Sequence, residues 1–208
     1  MRLICRQIRL RDNLNIQGLT LNPATKQAAS LLAEKTFERY RNNPGHYRNT
    51  ASSHLVGHLG EFAAFIWLRD NGFEPVASFS DPSKDKECDI STNVGRIEVK
   101  TWSERYWDKW GRCVSVSQYA SIKRKADFIF WLSVDEVDSE TPKVAFRGWC
   151  EVGIFEGMSP IMTGDAGREV RNYQLDPSQL KPVEEMETLH GTRGNTATSD
   201  QSNNGRSE

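Results

Sequence analysis

The stretch Cys88-Asp89-Ile90-Ser91-Thr92-Asn93-Val94-Gly95-Arg96-Ile97-Glu98-Val99-Lys100-Thr101-Trp102 decides the reading of this chain. From 96 to 102 the pattern is that of a β-strand. Side chains alternate, so Glu98 and Lys100 leave one face while Ile97, Val99 and Thr101 leave the other. Asn93-Val94-Gly95 supplies a turn, and Asp89 stands one short loop upstream, just before Ile90. An aspartate, a glutamate and a lysine converging in this way meet the needs of metal-assisted phosphodiester hydrolysis. Two carboxylates hold a hard cation, and the lysine steadies the attacking water or the developing charge. Taken singly, each has a plainer reading: Glu-x-Lys on a strand face is an ordinary ion pair, and an aspartate before a hairpin is a common turn former.

Working outward, residues 3–10 alternate enough for a short strand. Asn22-Pro23 reads as an N-cap with proline in the first helical turn, and Ala28, Leu31, Leu32 and Phe37 carry a helix to about Arg41. Asn42-Asn43-Pro44-Gly45 breaks it. A second helix runs from Thr50 or Ser52 to about Asp70, with Leu55, Leu59, Phe62 and Ile66 as its core stripe and Asn71-Gly72 as its stop. Strands are expected at 75–79, around Asp89-Ile90 and at 96–102, followed by a polar and aromatic excursion from Trp102 to Cys113. Ser117 is read as the cap of a short helix to Lys125. Residues 128–132 form a buried central strand, 144–149 another, and 177–187 a last helix. This order describes a mixed α/β or α+β domain, a central mixed sheet flanked by helices. The domain spans 1–187, with an N-terminal extension over 1–48 and a core over about 50–185. The tail 188–208 has almost no apolar residue to offset its ordering entropy and is expected to be disordered.

A chain of 208 residues suits one domain. No apolar run approaches membrane-spanning length and the N-terminus lacks a signal-peptide core, so a cytoplasmic protein with no membrane partner is expected. Cys5, Cys88, Cys113 and Cys150 form no C-x-x-C pair and read as free, mostly buried thiols. The net charge is −1, but the signs are separated. Acid gathers in Asp135-Glu136-Val137-Asp138-Ser139-Glu140, whereas eight basic residues stand against three acidic ones between Arg96 and Lys125. Trp102, Tyr106, Trp107 and Trp110 are interleaved with Arg105, Lys109 and Arg112. That mixture suits stacking on bases and contact with phosphates, or else covers the sheet with its charges solvated.

Glu61, after Gly60, comes from an independent element on the flank of the second helix's apolar stripe, from which it can reach a sheet edge. With Gly60-Glu61-Phe62-Ala63-Ala64, Cys88-Asp89-Ile90 and Ile97-Glu98-Val99-Lys100-Thr101, the chain resembles the PD-(D/E)XK nuclease superfamily over roughly residues 50–185. Ser117-Gln118-Tyr119 leading to Lys125-Ala126-Asp127-Phe128 resembles the helix and strand that follow the motif in that superfamily. The resemblance implies a restriction-endonuclease-like core and a Mg²⁺-dependent DNA endonuclease in which Mn²⁺ can substitute. Asp89 and Glu98 would ligate the metal with the Val99 carbonyl. Lys100 would position the nucleophilic water or stabilise the phosphorane, Glu61 would hold a metal-bound water or second cation, and Gln118 would contact the scissile region. DNA is the implied partner, with a homodimer or a larger nucleic-acid-processing assembly compatible with two-strand cutting. Two departures stand out. Cys88 replaces the proline before the aspartate, leaving Asp81 and Asp85 as weaker candidates, and Ile122 stands where a Gln-x-x-x-Tyr element would place its tyrosine. The alternative to an enzyme is a nuclease-like DNA-binding or assembly subunit without its own catalysis. A third reading takes His54, His58 and Glu61, at i, i+4 and i+7 on one helix face, as zinc ligands; the plainer account is a polar flank.

Overall fold

Six consecutive residues of the strand Phe128–Asp135 are buried, from Ile129 to Val134. A strand with no polar face belongs in the interior of a sheet covered on both sides, and that is its position. A computed structural model describes residues 7–8, 16–42, 50–81, 87–164, 167 and 169–189. With strands and helices numbered in chain order, the larger sheet holds seven strands. Across the sheet they are β1 (Gln7–Ile8), β2 (Ile16–Thr20), β8 (Lys143–Glu151), β7 (Phe128–Asp135), β5 (Arg96–Ser103), β4 (Ile90–Ser91) and β3 (Val76–Ala77). Only β5 and β7 pair in parallel; the other neighbours are antiparallel, so the sheet is mixed. A second sheet sets β10 (Val170–Gln174) between β6 (Cys113–Ser115) and β9 (Ile161–Thr163).

Helix α1 (Pro23–Tyr40) begins where the Asn22 side chain accepts the Thr25 N–H at 2.9 Å. Helix α2 (Ala51–Asp70) begins in a reciprocal cap between Thr50 and Ser53. The buried side of α2 presents Leu59, Ala63, Ala64, Trp67 and Leu68 to Ile97, Val99, Phe130 and Phe146 of the sheet. Each large apolar side chain so buried contributes about 1.5–3 kcal/mol. On the opposite face α3 (Glu104–Trp110) lays down Trp107 and α4 (Val116–Lys125) lays down Ile122, against Ile129, Trp131 and Cys150. A bulge in β8 lets Arg147 leave the ladder between the pairs Trp131↔Gly148 and Leu132↔Phe146. Its guanidinium donates to Ser133 Oγ at 2.7 Å, pairs with Glu104 of α3 and covers the Trp107 ring.

Several expectations need correction. Trp102–Cys113 is no excursion: β5 continues to Ser103 and α3 follows at once, with Trp107 in the core and Tyr106 37% exposed. Ser115, not Ser117, caps α4. The last helix breaks into two 3₁₀ turns, Pro177–Gln179 and Val183–Met186. Between them Lys181 pairs with the edge of β8, exchanging 2.9 Å backbone bonds with Trp149, which no continuous helix permits. Leu55 and Phe62 of the α2 stripe are only partly buried, while Trp67 and Leu68 are wholly so. The strand expected at 75–79 is limited to Val76–Ala77, and that at 3–10 is described only at Gln7–Ile8. Leu189, assigned to the tail, packs on the core; from His190 onward the tail lies outside the described residues. Cys88, Cys113 and Cys150 are free and buried, and Cys5 lies outside the described residues. Among the described residues no helix is long and apolar enough to cross a membrane.

Candidate active site

The antiparallel register Ile90↔Ile97 and Ser91↔Arg96 puts Asp89 opposite Glu98, one step beyond the end of β4. There the Asp89 carboxylate replaces a backbone partner, accepting the Val99 N–H at 2.7 Å. A strand residue sends its N–H and C=O to the same edge, so the Val99 carbonyl is directed to the Asp89 side as well. Glu98 is nearly buried, at 4% exposure. One of its oxygens accepts from Lys100 Nζ at 2.7 Å, and the other lies 2.6 Å from Lys125 Nζ at the end of α4. Lys125 is the site residue that sequence reasoning missed. Its signal was the basic run Lys123-Arg124-Lys125 directly before β7, the strand that pairs in parallel with the Glu-x-Lys strand.

Glu61 reaches the same edge because Gly60 has no side chain. A Cβ there would fall 1.8 Å from Thr101 Oγ1, so glycine alone allows α2 to lie this close to β5. The Glu61 carboxylate is held 2.6 Å from His58 Nδ1, and His58 Nε2 sits 2.9 Å from Thr36 Oγ1 of α1. In the neutral imidazole, an Nδ1–H donated to the Glu61 carboxylate leaves Nε2 to accept from the Thr36 hydroxyl. Glu61, His58, Thr36 and Asp89 line a cleft of about 190 Å³, whose α1 wall carries Lys35 and Arg39.

The electrostatics separate the two motif carboxylates. Burial, then the neighbouring Glu98 and Glu61 charges, push the Asp89 carboxyl well above the usual aspartate range, against weaker pull from Lys100 and Lys125. Burial also works against the charged form of Glu98, but the ammonium groups of Lys100 and Lys125 together outweigh it and hold that carboxyl below its ordinary value. Glu98 is thus neutralised from within, whereas Asp89, beside Glu61, remains short of positive charge. His54 is lowered by burial and by His58, and its ring stacks on Tyr40 with centroids 6.5 Å apart.

Among the described residues no three His, Cys, Asp or Glu side chains form a ready-made metal cage. The donor chemistry nevertheless fits a hard divalent cation. Asp89, Glu61 and the Val99 carbonyl offer oxygen only, and the unfavourable charge on Asp89 is what such an ion relieves. It does not favour zinc on His54 and His58, because both ring nitrogens of His58 are already engaged by Thr36 and Glu61. Asp81 lines the cleft and Asp85 lies outside the described residues. Gln118 sits in the first turn of α4, its N–H on the Ser115 cap, about 10 Å along the helix axis from Lys125. The structure therefore brings Asp89, Glu98, Lys100 and Glu61 to one edge of the sheet, with Gln118 at the far end of α4. Compared with protein-family models, curated proteins and solved structures, the chain matches none.

Proposed function

We propose that this protein is a Mg²⁺-dependent DNA endonuclease on a restriction-endonuclease-like core. The observation that carries the reading is the meeting of Asp89, Glu98 and Glu61 with Lys100 at one sheet edge beside an open cleft. The strand–turn–strand of β4 and β5, the parallel β5–β7 pair and the α2 glutamate agree with such a core. A bound divalent cation supplies Lewis acidity, lowering the pKa of a water and neutralising charge that develops at phosphorus. Asp89 and Glu61 would hold that ion, with Glu98 and the Val99 carbonyl as further oxygen donors. Lys100 exchanges its Glu98 contact for the attacking water or the non-bridging phosphate oxygens, a short swing for a flexible stem. The Val99 N–H fixes the orientation of the Asp89 carboxylate throughout.

Cleavage of supercoiled, linear, branched and single-stranded DNA in EDTA, Mg²⁺ or Mn²⁺ tests the reading. Asp89→Ala and Lys100→Ala are expected to abolish metal-dependent cutting with the fold intact, and full activity in either variant would refute it. A second reading, a DNA-binding or assembly subunit without its own catalysis, is favoured by one feature: Lys100 and Lys125 already occupy both Glu98 oxygens. A melting temperature that does not respond to Mg²⁺ or Mn²⁺ would decide for it.

A further inference from the structure

The cleft has two walls of opposite charge. Glu61, Asp81, Glu87 and Asp89 stand on the sheet side, and Lys35 and Arg39 on α1. Lys35 is exposed and makes no ion pair with any described residue. Four positions apart on a helix, the two cations share one face, about 6 Å apart along the axis. That is close to the repeat of successive phosphates along a nucleic-acid strand. The walls are locked in register, because the Thr36–His58–Glu61 chain joins the residue beside Lys35 directly to the acidic wall. At about 190 Å³ the cleft is too small to enclose a whole ligand, for which about 300–1,000 Å³ is usual. It suits one unit of a polymer passing through.

We propose that Lys35 and Arg39 form a phosphate-gripping rail, which holds the substrate DNA strand across the cleft from Asp89 and Glu61. The inference rests on the nuclease reading for the identity of the strand. Acid outnumbers base in the lining four to two, so the empty cleft repels a phosphodiester. Grip therefore requires a divalent cation on the carboxylates as well as the rail. This assigns DNA contact to the α1 wall, which faces the carboxylates across the cleft, rather than to α3, none of whose residues lines it.

The test is fluorescence anisotropy of labelled single-stranded and duplex oligonucleotides over a salt series. It is run in Ca²⁺, a larger and less polarising ion than Mg²⁺ that carboxylates still bind, and again in EDTA. The proteins are the wild type, Lys35→Ala/Arg39→Ala and Arg105→Ala/Lys109→Ala, all four exposed positions, with folding checked by circular dichroism. Wild type is expected to bind at least tenfold tighter in Ca²⁺ than in EDTA. The α1 variant should lose most of that gain, and its log K against log salt slope should fall by about 1.4–1.8, the value of two lost phosphate contacts. The α3 variant should stay within about twofold of wild type. An α1 variant that binds like wild type, a loss confined to the α3 variant, or no Ca²⁺-dependent binding at all would overturn the proposal. Binding that follows the expected pattern without cleavage in Mg²⁺ would uphold the rail and sink the nuclease reading instead.

Discussion

Replacing Gly60 by alanine sets two effects of opposite sign against each other. In the interior of a helix, Gly→Ala gains about 1 kcal/mol of propensity. Here, however, the new methyl would lie 1.8 Å from Thr101 Oγ1 and 2.8 Å from both Thr101 Cβ and Cγ2. Rotating Thr101 removes the clash with Oγ1 but not that with its Cβ, so α2 must withdraw from β5. It would do so along the buried seam that holds Leu59, Ala63 and Trp67. Overpacking of this kind costs about 1–3 kcal/mol, and the severity of the overlap puts it at the upper end. A net loss of about 2 kcal/mol is expected, or a fall in Tm of roughly 4–8 °C for a chain of this size. Urea and thermal melts of Gly60→Ala, Thr101→Gly and the double variant give the test. The double variant should recover at least 1 kcal/mol relative to the sum of the singles, since the clash needs both side chains. A Gly60→Ala protein as stable as wild type would show that α2 is not seated on Thr101, and with it would go the account of how Glu61 reaches the cleft.

Asp89→Asn keeps an acceptor for the Val99 N–H but removes an unfavourable charge. The folded-state pKa of Asp89 lies above its unfolded value of about 3.9, so its ionisation destabilises the protein progressively as pH rises past that point. In EDTA the variant should melt above wild type at pH 7 and level with it near pH 4; a lower melting temperature at pH 7 would contradict this. Glu98 has the opposite sign, its depressed pKa giving stability that is present above about pH 4.3 and lost as pH falls through the folded value. Lys125→Met leaves Glu98 with Lys100 alone and should cost about 1–3 kcal/mol at pH 7 in urea melts, with the deficit narrowing below pH 4. Arg147→Lys should cost about 2 kcal/mol and alter the near-ultraviolet dichroism of Trp107, because an ammonium cannot donate to Ser133, pair with Glu104 and cover the indole together. A Lys variant indistinguishable from wild type would show that the bulge does not anchor α3.

Features written into adjacent residues were legible in the sequence. The Asn22-Pro23 and Thr50 caps, the apolar run of β7 and the alternation of β5 all act within a few positions. Asp89, Glu98 and Lys100 were legible as a group because a turn and a two-residue period bring them together. Helix α3 was not, since only Trp107 of its seven residues is buried and no apolar stripe marks it. Its form follows from Arg147, distant in sequence, reaching Glu104 and Trp107. Lys125 reaches Glu98 only through the parallel register of β5 and β7, which nothing in the basic run itself encodes. The break in the last helix was legible by contrast: Pro182 has no N–H to donate and bars Lys181 from helical backbone, and the edge of β8 then takes up Lys181.

The place of β2 between β1 and β8 has a consequence for biosynthesis. Gly18 pairs with Ala145 and Leu19 with Val144, so an early strand finds its main partner only after most of the chain has been made. At about 5–20 residues per second, ribosomal synthesis separates the two by roughly 6–25 s. During that interval β2 has an unpaired edge and Leu19 an uncovered side chain, the features that recruit holding chaperones or wrong partners. Slowing translation before β8 has left the ribosome should therefore lower soluble yield, whereas the same pause placed after β8 has emerged should not.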